Sequence, residues 1–177
     1  KEIMPMFSKG LVAFIGGNHG ENRRSGRSYT TFADNKDVML AEELQEIFQE
    51  APAYKDRLLF MIPDNELSLT FEVSNTVISI LHGHQMRGGV NSQAKSRKWV
   101  SDQAFSRNPI ADSDIILHGH YHYFSAYESS DRLILQAPTL DSGSEWFENT
   151  KGDKSRSGML TFVIGGDEKW DYIKVIR

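Results

Sequence analysis

The sequence contains no cysteine. This absence excludes a disulfide framework and any metal site built from thiolates, so a metal ion would need nitrogen and oxygen ligands. No apolar run is long enough to span a membrane, and no signal-peptide pattern is present. The net charge of only −4 gives no global reason to bind nucleic acid, so such a role would depend on local basic patches. The expected chain is a cytoplasmic globular protein whose 177 residues form a single domain.

The histidines are few and are placed in a pattern. All 6 lie where an apolar run typical of a strand gives way to a loop. The three runs are Leu11–Ile15 before His19, Val77–Leu81 before His82 and His84, and Ile115–Leu117 before His118, His120 and His122. Ligands of α/β sheets bind beyond the carboxyl ends of the strands, so this pattern predicts a shared metal site. On an extended backbone His120 and His122 would face the same way; the alternative for that cluster is an exposed, histidine-rich turn.

Three motifs at these strand ends resemble those of a known family. Gly17-Asn18-His19, His82-Gly83 and Gly119-His120-Tyr121-His122 are similar, in this order, to the last three motifs of the calcineurin-like metallophosphoesterases, namely G-N-H-(D/E), H-G and G-H-x-H. The segments RKWVSDQ, SDIILHGHYH and QAPTLDSGSEWF also resemble bacteriophage-encoded members, whose compartment would be the host cytoplasm.

The resemblance implies a fold and a chemistry. The implied fold class is α/β, a mixed β-sandwich flanked by helices in α-β-β-α layers. The implied activity is that of a hydrolase, a phosphodiesterase or nuclease with a dinuclear centre. Asn18, His82 and His120 would bind one ion and His122 the other, with His19 as the general acid. The expected ions are divalent and two per complete site, manganese first, with iron, nickel and zinc as alternatives.

Two motifs of the family pattern, D-x-H and G-D, have no counterpart before Asn18. They would need roughly another βαβα unit before Leu11. We therefore expect the chain to be the C-terminal portion of an N-terminally truncated metallophosphoesterase domain. Two alternatives stay open: a catalytically inactive metal-binding fragment with a structural or regulatory role, and a nucleic-acid-binding module with incidental histidines. The acidic net charge disfavours the second.

Candidate substrate-binding residues follow two of these motifs. Arg23 and Arg24, with Arg27, lie in a Gly/Ser-rich loop after His19, where guanidinium groups could hold phosphate oxygens or simply face solvent. His84 is expected to contact substrate or to brace a ligand, and His118 to pack. Lys95, Arg97 and Lys98 form a second basic patch. The expected partner is a phosphoester substrate, with nucleic acid as one candidate; no membrane is expected, and the oligomeric state is not predicted.

The remaining patterns predict the elements around these motifs. Helices are expected from the Asn35 cap to Gln49, with Leu40, Leu44, Ile47 and Phe48 in the core, and over Ser92–Phe105. A buried strand is expected at Leu58–Ile62, and hairpin turns at Ser74-Asn75 and Ser129–Asp131. The long loop 137–157, with Trp146 and Phe147, is a candidate functional or disordered segment.

Overall fold

The computed structural model describes residues 7–141, 148–149 and 156–177. Its contacts divide the chain into two compact units, Lys1–Leu69 and Thr70–Arg177. Most of the long loop predicted at 137–157, including Trp146 and Phe147, lies outside the described residues. Within the described ranges, no helix is both long enough and apolar enough to cross a membrane.

The first unit contains a parallel pair of strands joined through a helix. Strand β1 (Gly10–Ala13) is followed by a short hairpin of β2 (Arg23–Arg24) and β3 (Arg27–Ser28), a 3₁₀ turn at Phe32–Asp34, helix α1 (Lys36–Glu50) and strand β4 (Leu58–Met61). β1 and β4 pair in parallel, with Leu11 opposite Leu59. A helical crossover of this kind is the usual connection between parallel strands.

Helix α1 begins where the sequence predicts it, but its core face differs. The buried residues are Val38 and Ala41, whereas Leu40 and Ile47 are 53% and 62% exposed. Each helical residue advances by about 100°. The face centred on Ala41 therefore takes in Val38 and the half-buried Phe48, and it leaves Leu40 and Ile47 on the flank. The prediction that Leu40 and Ile47 lie in the core is wrong.

The strand predicted as buried at Leu58–Ile62 is only partly so. β4 ends at Met61, and Leu59 is 64% exposed. Because successive side chains of a strand point to opposite faces, Leu58 and Phe60 share one face and Leu59 occupies the other. The second face is open at Leu59, whereas Met61 on that face is partly buried.

The second unit is built on a five-stranded mixed sheet. Its strands are β5 (Ser68–Val73), β6 (Thr76–Leu81), β7 (Ile115–His118), β8 (Ser125–Ser129) and β9 (Arg132–Gln136), in the spatial order β5-β6-β7-β9-β8. β6, β7 and β9 run parallel, and β8 pairs antiparallel with β9. Helix α2 (Ser92–Phe105) and a 3₁₀ turn at Pro109–Asp112 connect β6 to β7, and an antiparallel pair, β10 (Met159–Val163) and β11 (Asp171–Ile176), closes the chain. The predicted mixed α/β class is confirmed, because the described residues include a central mixed sheet and the helices α1 and α2.

Both predicted hairpin turns are present. Ser74 and Asn75 have φ of 51° and 61°, and Ser130 and Asp131 have φ of 55° and 56°. Two consecutive residues with positive φ form the tight turn that matches the twist of antiparallel strands. The second turn is one residue shorter than predicted, because Ser129 belongs to β8.

The central sheet of the second unit is covered on both faces. Ile116 of β7 belongs to a buried cluster with Val100 of α2, whereas its neighbour Ile115 belongs to a second cluster. Leu160 and Ile173 from the closing pair of strands pack against that second cluster. A central strand buried on both faces explains why Ile115-Ile116-Leu117 reads as a continuous apolar run.

The side chain of Asp114, just before β7, connects β6 with the segment that precedes β11. Its Oδ2 accepts a hydrogen bond from the Val77 N–H at 2.9 Å, and its Oδ1 pairs with the Lys169 ammonium. Burial alone would raise the pKa of Asp114, but the hydrogen bonds from Lys169 and Val77, together with the positive charges of Lys169 and Arg132, outweigh it. They hold the pKa below the ordinary value of 3.8.

Asp114→Asn is expected to destabilise the chain at neutral pH and to lose this effect in acid. A carboxyl whose pKa is lower in the folded state stabilises the fold above its unfolded-state pKa, and this contribution disappears as the pH falls through the folded-state value. Urea unfolding of wild type and variant, at pH 7 and at a series of pH values below 3.8, measures the difference. Asp167→Asn, at an exposed position, is the matched control and should change little at any pH. A difference that stays constant into acid would contradict this role for Asp114.

Candidate metal centre

The second unit brings two of the sequence motifs to one edge of its sheet. In the parallel register of β6 and β7, Leu81 lies opposite His118. The pairing extends one step beyond the strands, because the Gly119 N–H donates to the carbonyl of His82 at 3.0 Å. The residues that follow, His82 and His120, therefore leave the sheet side by side at the carboxyl ends of neighbouring strands, which is where α/β sheets bind ligands.

Three imidazoles form a cluster at this edge. The ring centroids of His82 and His120 are 5.1 Å apart, those of His82 and His84 are 5.4 Å apart, and those of His84 and His120 are 6.3 Å apart. The closest atoms are Nδ1 of His120 and Nε2 of His82, at 3.3 Å. All three side chains are only partly exposed. The structure thus brings together His82, His84 and His120, which are separated by up to 38 residues in the sequence.

The nitrogen–nitrogen distance suits a shared ion. Two nitrogens that each lie about 2.0–2.1 Å from one ion at a tetrahedral angle are about 3.3–3.4 Å apart. The same distance also fits a hydrogen bond between one protonated and one unprotonated ring nitrogen. Across the described ranges, no group of three or more His, Cys, Asp or Glu side chains is placed to hold an ion. The two nitrogens of His82 and His120 thus have the spacing expected of two ligands of one ion.

The backbone of the G-H-x-H motif is not extended. His120 and His122 have φ of 70° and 66°, in the left-handed region that non-glycine residues adopt at a cost of about 1–2 kcal/mol each. The expectation that both side chains project from an extended strand is wrong, because β7 ends at His118 and the chain turns immediately afterwards. His122 is exposed. Its backbone carbonyl accepts a hydrogen bond from the Thr139 N–H at 3.2 Å, which fixes the exit of the turn.

Gly83 allows the two motifs to approach each other. Its φ is 108°, and a Cβ at this position would lie 3.3 Å from Cβ of His120 and 3.4 Å from Nδ1 of His118. Any other residue would be strained here and would press on His120. The positive φ and the close approach of His120 therefore explain why glycine follows histidine in the H-G motif.

His118 is a packing residue, as the sequence predicts. Its side chain is 3% exposed, lies edge-on to Tyr121 with ring centroids 5.9 Å apart, and its Nδ1 is 3.2 Å from the Gly119 carbonyl. Burial lowers the pKa of His118 to about 4, even though the hydrogen bond to Gly119 acts in the opposite direction. His118 therefore stays neutral at physiological pH, and its contacts with Gly119 and Tyr121 stabilise the turn that follows β7.

The first unit holds Asn18 and His19 in a loop whose shape two other residues determine. The Gly17 N–H donates to Oδ2 of Asp37 at 2.8 Å, and the Asn35 amide donates to the Gly17 carbonyl at 2.9 Å. The loop closes on itself through a bond from the Gly20 N–H to the Gly17 carbonyl at 3.3 Å. In this arrangement Asn18 is half-buried and His19 is exposed.

This role of Asn35 and Asp37 is not predicted from the sequence. Asn35 is predicted only as a helix cap, and its Oδ1 does accept the Asp37 N–H at 2.9 Å, but the same 1%-exposed side chain also holds the loop. Gly20 is required because a Cβ there would overlap the Asn35 side chain and lie 2.7 Å from Cγ of Asp37. The one signal in the sequence is the Asn-x-Asp pattern at the start of α1, which indicates two polar side chains near the preceding loop.

Asn35→Ala is expected to cost about 2–3 kcal/mol of stability, since it removes a helix cap and leaves the Gly17 carbonyl with only the longer hydrogen bond from the Gly20 N–H. Asn91→Ala is the matched control, because the Asn91 side chain caps α2 by accepting the Ala94 N–H at an exposed site. Its loss should cost only about 1 kcal/mol. Chemical denaturation of the two variants measures the difference, and equal costs would contradict a second role for Asn35.

The predicted arginine loop is a small hairpin. Ser25 and Gly26 form its turn with φ of 49° and 78°, and Arg24 lies opposite Arg27. Arg23 forms an ion pair with Glu21 at 2.9 Å, which offsets its charge. Arg24 and Arg27, both exposed, are adjacent cations on this hairpin. Arg24 is therefore better placed than Arg23 to meet an anion.

No protein-family model matches the chain, and no curated protein matches it. Similar solved structures are Vps29 from Entamoeba histolytica complexed with Zn²⁺ (15% identity, 89% of this chain and 87% of that chain, TM-score 0.45), a predicted phosphoesterase from Streptococcus pneumoniae (17% identity, 86% and 79%, TM-score 0.39) and an archaeal phosphodiesterase (16% identity, 84% and 66%, TM-score 0.42). At these TM-scores and identities, the similarities assign no function to this chain.

Proposed function

We propose that this chain acts as a metal-dependent phosphoesterase that hydrolyses phosphodiester bonds, with His82 and His120 as two ligands of its metal centre. The observation that supports the proposal is the 3.3 Å distance between Nδ1 of His120 and Nε2 of His82 at the ends of adjacent parallel strands. The positive φ of His120 adds to it, because strained backbone is retained where a side chain has to be held in one place.

The donor set indicates the chemistry. Imidazole ligands without any thiolate suit manganese, iron, nickel or zinc, and manganese is our first choice for a phosphodiesterase. Divalent ions in such a centre, two in the complete form, supply charge neutralisation at the phosphoryl oxygens and a water nucleophile at neutral pH. His82 and His120 would present unprotonated nitrogens to the site, and the glycine at position 83 leaves room for the His120 side chain beside the H-G motif.

The other assignments of the sequence analysis belong to the same proposal. His122 is the candidate ligand of a second ion, and His84, within 5.4 Å of His82 between ring centroids, is the candidate contact to substrate. In the first unit, Asn18 is a candidate ligand, His19 the candidate general acid, and Arg23 and Arg24 candidate phosphate-binding residues. His19 is exposed and therefore accessible to a substrate.

A hydrolysis assay tests the function. The chain, stripped with EDTA and reloaded with Mn²⁺, should hydrolyse bis(4-nitrophenyl) phosphate faster than 4-nitrophenyl phosphate, and removal of the metal should abolish both activities. A short single-stranded oligonucleotide is the second substrate, and its cleavage would show that the diesterase is a nuclease. Protein that takes up metal but turns over no diester would reject the enzyme and leave a non-catalytic metal-binding protein.

A further inference from the structure

Lys95 of helix α2 stands close to the imidazole cluster. Its Nζ lies 5.5 Å from the centre of the Tyr121 ring, and that ring lies 5.0 Å from the ring of His120. The ammonium and one of the proposed ligands therefore both contact the same aromatic ring. Lys95 is only half exposed, whereas its neighbour Lys98 is exposed and paired with Asp102 at 2.6 Å.

The position of Lys95 is fixed by hydrogen bonds on both sides of it along the helix. The hydroxyl oxygens of Ser92 and Tyr123 are 2.7 Å apart, and those of Ser96 and Tyr127 are 2.5 Å apart. These contacts fasten α2 to the segment that follows the G-H-x-H motif. Lys95 lies between the two fastened serines, so its backbone cannot move away from Tyr121 without breaking one of them.

The charge of Lys95 is not balanced by a carboxylate within the described part of the chain, where its one described partner is the Tyr121 ring. A cation over an aromatic face gains about 0.5–2 kcal/mol, which is less than a partly desolvated ammonium gains from an anion. An ammonium that is held in place beside a proposed phosphoester site, and that has no carboxylate partner among the described residues, is suited to bind phosphate oxygens.

We propose that Lys95 binds a second phosphate of the substrate, next to the phosphodiester held at the imidazole cluster. This inference rests on the proposed function and adds a substrate class to it: a chain of linked phosphates, such as a short nucleotide strand, and not an isolated diester. Lys95 is then a specificity-determining residue, and Lys98, whose charge Asp102 already balances, is not.

The competing role for Lys95 is purely structural. In that role the ammonium over the Tyr121 ring would hold α2 against the loop whether or not an anion binds. The two roles predict different results for Lys95→Arg, which keeps the charge, and for Lys95→Met, which keeps the apolar stem without the charge.

The experiment compares two dinucleotides. A thymidine dinucleotide with a phosphate at each end, and the same dinucleotide without terminal phosphates, are titrated into the ¹⁵N-labelled chain of 177 residues in EDTA, and the shifts of its amide signals give the two affinities. Wild type should bind the terminally phosphorylated form about 10-fold more tightly, the gain expected from one charge-assisted hydrogen bond. Lys95→Gln and Lys95→Met should remove this preference, whereas Lys95→Arg and the control Lys98→Gln should retain it. Melting temperatures show whether each variant is folded, and Lys95→Met replaces Lys95→Gln if the latter is not.

Two results would overturn the inference. The first is that folded Lys95→Met still prefers the terminally phosphorylated dinucleotide. The second is that Lys98→Gln loses this preference as fully as Lys95→Met, which would mean that the phosphates are attracted by the general positive charge of the helix. Metal uptake, measured separately on the same proteins, keeps the two proposals apart. A wild type that takes up no metal but retains the Lys95-dependent preference would reject the proposed function and leave the phosphate site standing.

Discussion

His120→Gly is expected to abolish tight binding of divalent metal while leaving the fold intact. The substitution removes Nδ1, which lies 3.3 Å from Nε2 of His82. Changes in the groups that only support metal ligands cost about 10–100-fold in affinity, so loss of a ligand should cost more than that range. Glycine is chosen because φ at this position is 70°, which glycine adopts without strain. The variant should therefore be no less stable in its backbone than wild type.

The comparison needs a histidine variant outside the cluster. His19→Ala removes an exposed imidazole that we assign to proton transfer and not to metal binding, so the metal affinity should barely change. Calorimetric titration of Mn²⁺ and Zn²⁺ into both variants, with urea unfolding of each, separates ligand loss from unfolding. Equal metal affinity in His120→Gly and wild type would exclude His120 as a ligand.

Ile116→Ala is expected to cost about 2–5 kcal/mol of stability, as deletions of large buried side chains do. Ile116 is fully buried in the central strand β7, in the cluster that includes Val100 of α2 and Ile134 of β9. Its loss leaves a cavity between the sheet and the helix, and the closely paired strands on either side of β7 limit how far the site can collapse.

The matched control for this substitution is an exposed β-branched residue in the same unit. Val90 is 97% exposed, so Val90→Ala should change the free energy of unfolding by less than about 0.5 kcal/mol. Urea denaturation gives both values. A cost for Ile116→Ala as small as that for Val90→Ala would mean that β7 is not the centre of the sheet.

Local signals predicted the fold of the second unit well. The turn residues at Ser74-Asn75 and the continuous apolar run at Ile115–Leu117 identify a hairpin and a doubly buried strand without knowledge of the rest of the chain. The buried faces of the first unit were harder to predict. Leu40 and Leu59 are apolar and suitably spaced, yet both are exposed, because periodicity shows which residues share a face and not which face is covered.

The meeting of His82 and His120 at one edge of the sheet was predictable from the sequence, but its geometry was not. Histidines placed just after apolar runs indicated that they leave the sheet at one edge, and His82 and His120 do so. The left-handed turn at His120 and His122 was missed, since non-glycine residues rarely adopt it and nothing local announces it. The hold of Asn35 on the Gly17 carbonyl was missed as well, because it joins residues 18 apart through a side chain already explained as a cap.

X-ray absorption at the zinc edge of the Zn²⁺-loaded chain tests the central claim most directly, because it reports the atoms bound to the metal. We expect imidazole nitrogens at about 2.0–2.1 Å, with the outer-shell scattering of at least two histidine rings. In His120→Gly that histidine contribution should fall. A first shell made only of oxygen atoms, or a spectrum that His120→Gly leaves unchanged, would contradict a metal centre held by His82 and His120.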